Sequence, residues 1–291
     1  MRKPLFTGSC VAIVTPFTED GVDWGKLEEL VEWQIASGTD AIVTCGTTGE
    51  ASTMPDEEHM AVMKFTIEKV AGRVHVMANT GSNDTKHAIQ LTRYAESVGA
   101  DSILSVTPYY NKTTQEGLYR HFKTIADSVK IPIVLYNVPS RTNLDIAPAT
   151  LARLAEVPNI VGVKECNLLH VPDVLALTDN LTFWSGEDGL IVPMLSLGGQ
   201  GVISVMANLI PKDTHDLVHA WFAGDHKRAL DLQLKAIPLI QALFCETNPI
   251  PIKEAMNIAG MRVGQCRMPL VEMSDAGRTH LEKAMRAYGL I

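Results

Sequence analysis

Short runs rich in β-branched and other apolar residues recur along this chain, and longer stretches with apolar positions three and four apart fill the gaps. The short runs predict strands at residues 10–14, 41–44, 74–78, 102–106, 131–136, 160–164, 181–185 and 201–205. The longer stretches predict amphipathic helices, among them 24–36, 56–70, 84–98 and 115–129. Alternation of strand and helix implies parallel neighbours, because parallel pairing needs a crossover. Eight such units predict an α/β fold, a closed (β/α)8 TIM barrel. A doubly wound open sheet is the alternative, and it is disfavoured because no GxGxxG follows the first strand. Beyond residue 205 the pattern is helical only, at 212–222, 226–243, 250–258 and 274–288, with Pro238, Pro249, Pro251 and Pro269 as breaks or first-turn residues. The expected organisation is a catalytic barrel over residues 1–224 and a C-terminal helical extension over 225–291.

In a barrel of this kind chemistry gathers where strands end and feed loops on one face. Lys164 stands at such an end, closing the apolar run Ile160-Val161-Gly162-Val163 and preceding Glu165. Lysines ordinarily titrate near about 10.4, so burial or nearby positive charge must lower that value before the amine attacks a carbonyl. The place suits a Schiff-base lysine. It also suits a strand-end lysine that merely pairs with Glu165.

Other strand ends carry complementary groups. Gly46-Thr47-Thr48-Gly49-Glu50 follows the second strand and can aim backbone N–H and hydroxyl groups at a small carboxylate, or simply cap the next helix. Thr107-Pro108-Tyr109-Tyr110-Asn111 follows the fourth strand, and the fifth ends in Tyr136-Asn137-Val138-Pro139-Ser140-Arg141-Thr142. A phenol both donates and accepts a proton, and a guanidinium fork suits bidentate capture of a carboxylate. Glycine-rich turns at Gly186 and Gly198–Gly201 permit close backbone approach.

Composition narrows the classes. The 291 residues carry 25 basic and 33 acidic side chains, a formal charge of −8, with no basic cluster to track a phosphate backbone. Nucleic acid is not an expected partner, and neither is a membrane, since no apolar stretch approaches the roughly 18 residues a span needs. With no signal-type segment after Met1-Arg2-Lys3-Pro4, the expected location is cytoplasmic. Five scattered cysteines without a CxxC pair argue for free thiols. His215-Asp216-Leu217-Val218-His219 puts two imidazoles one helical turn apart, but Asp replaces the water-activating Glu of an H-E-x-x-H helix, so no metal site is expected.

Taken together, Gly-Thr-Thr-Gly-Glu, Tyr-Tyr-Asn, Tyr-Asn-Val-Pro-Ser-Arg-Thr, Val-Lys-Glu and Gly-Gly-Gln-Gly-Val-Ile-Ser, in this order, resemble the dihydrodipicolinate synthase family of pyruvate-dependent class I aldolases. The resemblance runs from about residue 5 into the C-terminal helices. It implies condensation of pyruvate with aspartate semialdehyde, without metal or organic cofactor, through a covalent imine on Lys164. It further implies that Thr47 and Thr48 hold the pyruvate carboxylate and that Tyr136 relays protons. Tyr110 would join Tyr136 and Thr47 from a neighbouring subunit, in a homo-oligomer that is at least a dimer and is expected to be a tetramer. Arg141 would bind the aldehyde substrate's carboxylate, while Gly186, Glu187 and Ile203 would line the cavity. His59, Asn83 and Tyr109 match the site at which lysine inhibits sensitive relatives, whereas Asp56 and His87 stand where those relatives have His and Glu. Weak or absent lysine inhibition is therefore expected. The stretch Cys166-Asn167-Leu168-Leu169-His170 departs from the family pattern and leaves that loop's path open. Two other functions remain alternatives: an aldolase for a sugar acid or sialic acid, against which Arg141 argues, and a non-catalytic keto-acid-binding barrel.

Overall fold

The computed structural model describes residues 2–291. Eight parallel strands close into a barrel: β1 (Gly8–Ala12), β2 (Ala41–Thr44), β3 (His75–Asn79), β4 (Ser102–Val106), β5 (Ile133–Asn137), β6 (Ile160–Glu165), β7 (Thr182–Ser185) and β8 (Gly201–Ser204). Each pairs with its sequence neighbours, and β8 closes on β1. The crossover helices are α1 (Trp24–Ala36), α2 (Asp56–Val70), α3 (Thr85–Ser97), α4 (Gln115–Ala126), α6 (Pro148–Leu154), α7 (His170–Leu175) and α8 (Ile191–Ser196), with a short α5 (Pro139–Thr142) at the mouth. Then α9 (Pro211–Phe222) and α10 (His226–Leu243) pack together, followed by α11 (Ile250–Ile258) and α12 (Asp275–Tyr288). Among the described residues no helix is long and apolar enough to cross a membrane.

Alternation along the strands sorts side chains between two cores. Cys10, Ala12, Val43, Leu104, Val134 and Ile203 fill the barrel interior, whereas Val11, Ile42, Ile103 and Val163 face the helices. The interior is closed at its floor by Phe6, whose ring stacks on Trp184 at 4.9 Å while its carbonyl accepts the Trp184 Nε1–H at 3.3 Å.

The first strand starts at Gly8, earlier than the predicted residue 10, and ends at Ala12 although Ile13 and Val14 stay buried. A side chain takes over the ladder there, since the Val14 N–H donates to Asn208 Oδ1 at 3.0 Å. Apolar patterning alone cannot locate such a hand-over. The small hairpin of Phe17–Thr18 with Gly21–Val22 was likewise too short to carry a period.

Candidate active site

Lys164 is the penultimate residue of β6, in register with Tyr136 on β5 and Trp184 on β7. Its side chain points into the barrel and is 6% exposed, with Nζ 4.3 Å from the centre of the Tyr136 ring. Burial holds the amine below its ordinary range, opposed by Cys166, Cys10, Asp188 and Glu187 nearby. Burial also pushes the Tyr136 phenol well above its usual value, with Arg141 and the Thr47 hydroxyl acting in the opposite sense. An amine that readily gives up its proton thus sits beside a phenol that keeps its own.

A cavity of about 370 Å³ opens over this pair at the C-terminal mouth. Thr47, Thr48, Arg141, Gly186 and Glu187 line it together with Lys164 and Tyr136, so seven of the sequence-predicted residues converge. Two do not. Ile203 is sealed in the barrel interior, and Tyr110 is 92% exposed, on a left-handed residue (φ +68°) that throws its side chain outward from this chain. Gly186 has a specific reason to be glycine: a Cβ there would meet Cys166 Sγ at 2.4 Å and the Glu165 carbonyl at 3.3 Å.

The extension completes the mouth. Asn248, between α10 and α11, donates from Nδ2 to Thr48 Oγ1 at 3.0 Å, and its carbonyl accepts from Arg141 at 3.0 Å. Its Oδ1 is buried without a hydrogen-bond partner. In the sequence Thr247-Asn248-Pro249 read only as helix punctuation; a polar pair ahead of proline was the available signal.

Behind the mouth, Glu50 is held by a buried ion pair. Lys253 Nζ on α11 donates to Glu50 Oε1 at 2.7 Å and to the Gln265 carbonyl at 2.9 Å, while the Arg267 N–H donates to Glu50 Oε2 at 2.8 Å. The Gly-Thr-Thr-Gly-Glu turn is therefore clamped from the C-terminal helices. Lys253→Met strands a buried carboxylate, a change expected to cost about 3–5 kcal/mol. Urea denaturation checks it, and Glu50→Gln in the same chain is expected to restore most of the loss.

A second network backs β5 and β6. With Tyr136 and Lys164 facing inward, their successors Asn137 and Glu165 face each other outside: Asn137 Nδ2 donates to both Glu165 oxygens at 2.9 and 3.1 Å and to Asp145 Oδ1 at 2.7 Å. Burial pushes the Glu165 carboxyl up to about 8. Glu165 therefore does not pair with Lys164, the alternative that the sequence left open. It anchors the divergent loop instead: the Asn167 N–H donates to Glu165 Oε1 at 2.7 Å and Asn167 Nδ2 to Asp145 Oδ2 at 3.0 Å, leading into α7.

Next to this cavity lies another of about 370 Å³, lined by His59 and Tyr109 but not by Asn83. Its single carboxylate, Asp56, accepts from His87 Nε2 at 2.8 Å, and His59 is held below its ordinary range by burial.

An eight-stranded barrel whose polar side chains converge at the C-terminal strand ends defines a (β/α)8-barrel enzyme. The model of the dihydrodipicolinate synthetase family matches residues 5–288, and the chain belongs to that family. It is 59% identical to a 4-hydroxy-tetrahydrodipicolinate synthase of Acetivibrio thermocellus, over all of both chains. Among solved structures it superposes with TM-score 0.94 on the chloride-inhibited dihydrodipicolinate synthase of Acinetobacter baumannii complexed with pyruvate, at 45% identity over 98% of this chain and 99% of that one. A lysine-bound synthase of Cyanidioschyzon merolae matches with TM-score 0.95 and 36% identity, over 99% and 100%.

Proposed function

We propose that this chain condenses pyruvate with L-aspartate 4-semialdehyde to 4-hydroxy-tetrahydrodipicolinate, in the diaminopimelate and lysine pathway. The observation that carries the reading is the Lys164 amine, buried, depressed in pKa and 4.3 Å from the Tyr136 ring beneath a cavity edged by Thr47, Thr48 and Arg141. Neutral Lys164 attacks the pyruvate ketone, and the Tyr136 phenol gives its proton to the departing hydroxyl group, so that water leaves and a protonated imine stands beside a phenolate. That positive charge acidifies the pyruvate methyl group; the Tyr136 phenolate takes a proton from it, regaining the neutral phenol and leaving an enamine, which attacks the aldehyde carbon. The imine is itself the electron sink, so no metal or organic cofactor is required. Thr47 and Thr48 hold the pyruvate carboxylate, with the Asn248 amide fixing the Thr48 hydroxyl. Arg141, steadied by the Asn248 carbonyl, receives the carboxylate of the semialdehyde. Gly186 and Glu187 border the bound adduct, while Ile203 supports it from the barrel interior.

The active form is a homo-oligomer, at least a dimer and by preference a tetramer, in the cytoplasm. Exposed Tyr110 enters the proton path of a neighbouring copy. Sedimentation of a fully active monomer would contradict this.

A coupled assay with pyruvate and either aspartate semialdehyde or sugar aldehydes tests the substrate. Turnover is expected with the semialdehyde; preference for an aldose would instead assign a sugar-acid aldolase. Lysine is expected to inhibit weakly or not at all, because the neighbouring cavity's one carboxylate is already taken by His87. Steady-state rates with added lysine check this, and strong inhibition at sub-millimolar lysine would overturn it.

A further inference from the structure

His215 and His219 stand one turn apart on α9, with their rings stacked at 3.9 Å between centroids. Spacing alone gave no reason to read this pair as a site, because the glutamate of a zinc-protease helix is missing. The fold brings a third donor from far away in the chain. Asp40 lies just ahead of β2, and its two carboxylate oxygens are 3.0 and 3.1 Å from His219 Nε2. Ligand atoms from all three residues lie within 4.8 Å of one another. The cluster is at the N-terminal end of the strands, across the barrel from the Lys164 cavity.

Each donor is separately anchored. Asp40 Oδ2 accepts the Ser9 N–H at 2.8 Å, tying the carboxylate to β1. His215 Nδ1 lies 3.1 Å from Asp216 Oδ1. A carboxylate on one ring nitrogen is the outer partner that metal-binding histidines commonly have, and it leaves Nε2 as the lone-pair donor. The cations Lys212 and Arg228 are both held by the Asp216 carboxylate. His215 and Asp40 are partly buried, while His219 is open to solvent.

We propose that Asp40, His215 and His219 form a binding site for a divalent transition metal of the zinc class. Two imidazoles and one carboxylate suit Zn²⁺, Co²⁺ or Ni²⁺ better than Mg²⁺ or Ca²⁺, which take all-oxygen shells. With metal–ligand bonds of about 2.1 Å, donors in a tetrahedral site are roughly 3.4 Å apart. The Asp40–His219 separation is already near that, and a turn of the His215 ring closes the rest. Water takes the fourth position. The ion replaces the Asp40–His219 hydrogen bond and clips α9 to the floor of β1 and β2. Lying across the barrel from the Lys164 cavity, the site takes no part in the condensation.

Zinc titration of tag-free, chelator-treated protein, followed by calorimetry and thermal unfolding, tests the assignment. The expected result is one zinc per chain and a raised Tm. His215→Gln and His219→Gln are each expected to weaken affinity at least about ten-fold without altering turnover. Cobalt(II) provides a second readout, the intense visible bands of a four-coordinate ion, lost in both variants. His219→Gln also removes the hydrogen bond to Asp40, so metal-free Tm is measured for each variant, and His215→Gln leaves that bond in place. No zinc uptake by the native chain, or uptake that both variants keep in full, overturns the proposal.

Discussion

Replacing Lys164 with alanine is expected to lower kcat for the condensation by at least about 10³-fold, the scale on which covalent enzymes lose their nucleophile. The chain should nevertheless fold as well as before. Lys164 is 6% exposed and its charged form is disfavoured by burial, so deleting the amine removes a destabilising group along with a reactive one. Lys164→Arg separates charge from chemistry: a guanidinium keeps the positive charge but does not deprotonate, and activity should fall as far. Progress curves with pyruvate and aspartate semialdehyde, read beside urea denaturation, check both halves. Unfolding together with inactivity would leave the amine as a packing element; activity retained in the arginine variant would remove it from the chemistry.

The second large effect is expected at Tyr136. Phenylalanine preserves the ring that Lys164 Nζ approaches at 4.3 Å and removes only the hydroxyl, so binding should change little while kcat falls about 10²–10³-fold, the range for a general acid–base group. The split matters. If the hydroxyl moves protons, kcat drops with KM nearly constant; if it only orders the mouth, KM rises instead. Tyr136 is buried and its phenol is raised well above its usual value, so the role proposed for it is that of a proton carrier that rests neutral between turnovers.

Much of this was legible in the chain. Short β-branched apolar runs and period-3.6 patterns located eight strands and the long helices, with α1, α2, α10 and α11 found to the residue. Seven candidate residues met at one cavity because they lie at or just after the C-terminal ends of four strands, β2, β5, β6 and β7, and strand ends are countable from sequence. What stayed hidden depends on contacts between distant segments. Asn248 reaches Thr48 across 200 residues, and Lys253 reaches Glu50 across 203, with no local pattern to announce either. Glu165 was placed next to Lys164 in sequence, yet strand alternation turns the two to opposite faces, and Asn137 becomes the partner of Glu165. The path of the stretch from Cys166 to His170 stayed open because Glu165 and Asp145, from outside it, hold Asn167 in place.

The account stands or falls on a covalent bond between the Lys164 amine and pyruvate. Incubation of the protein with pyruvate and sodium borohydride, followed by proteolysis and mass spectrometry, reads that bond directly. A reduced three-carbon adduct on the peptide carrying Lys164, absent without pyruvate, is the predicted result. Full recovery of that peptide unmodified, or an adduct on any other lysine, would contradict it.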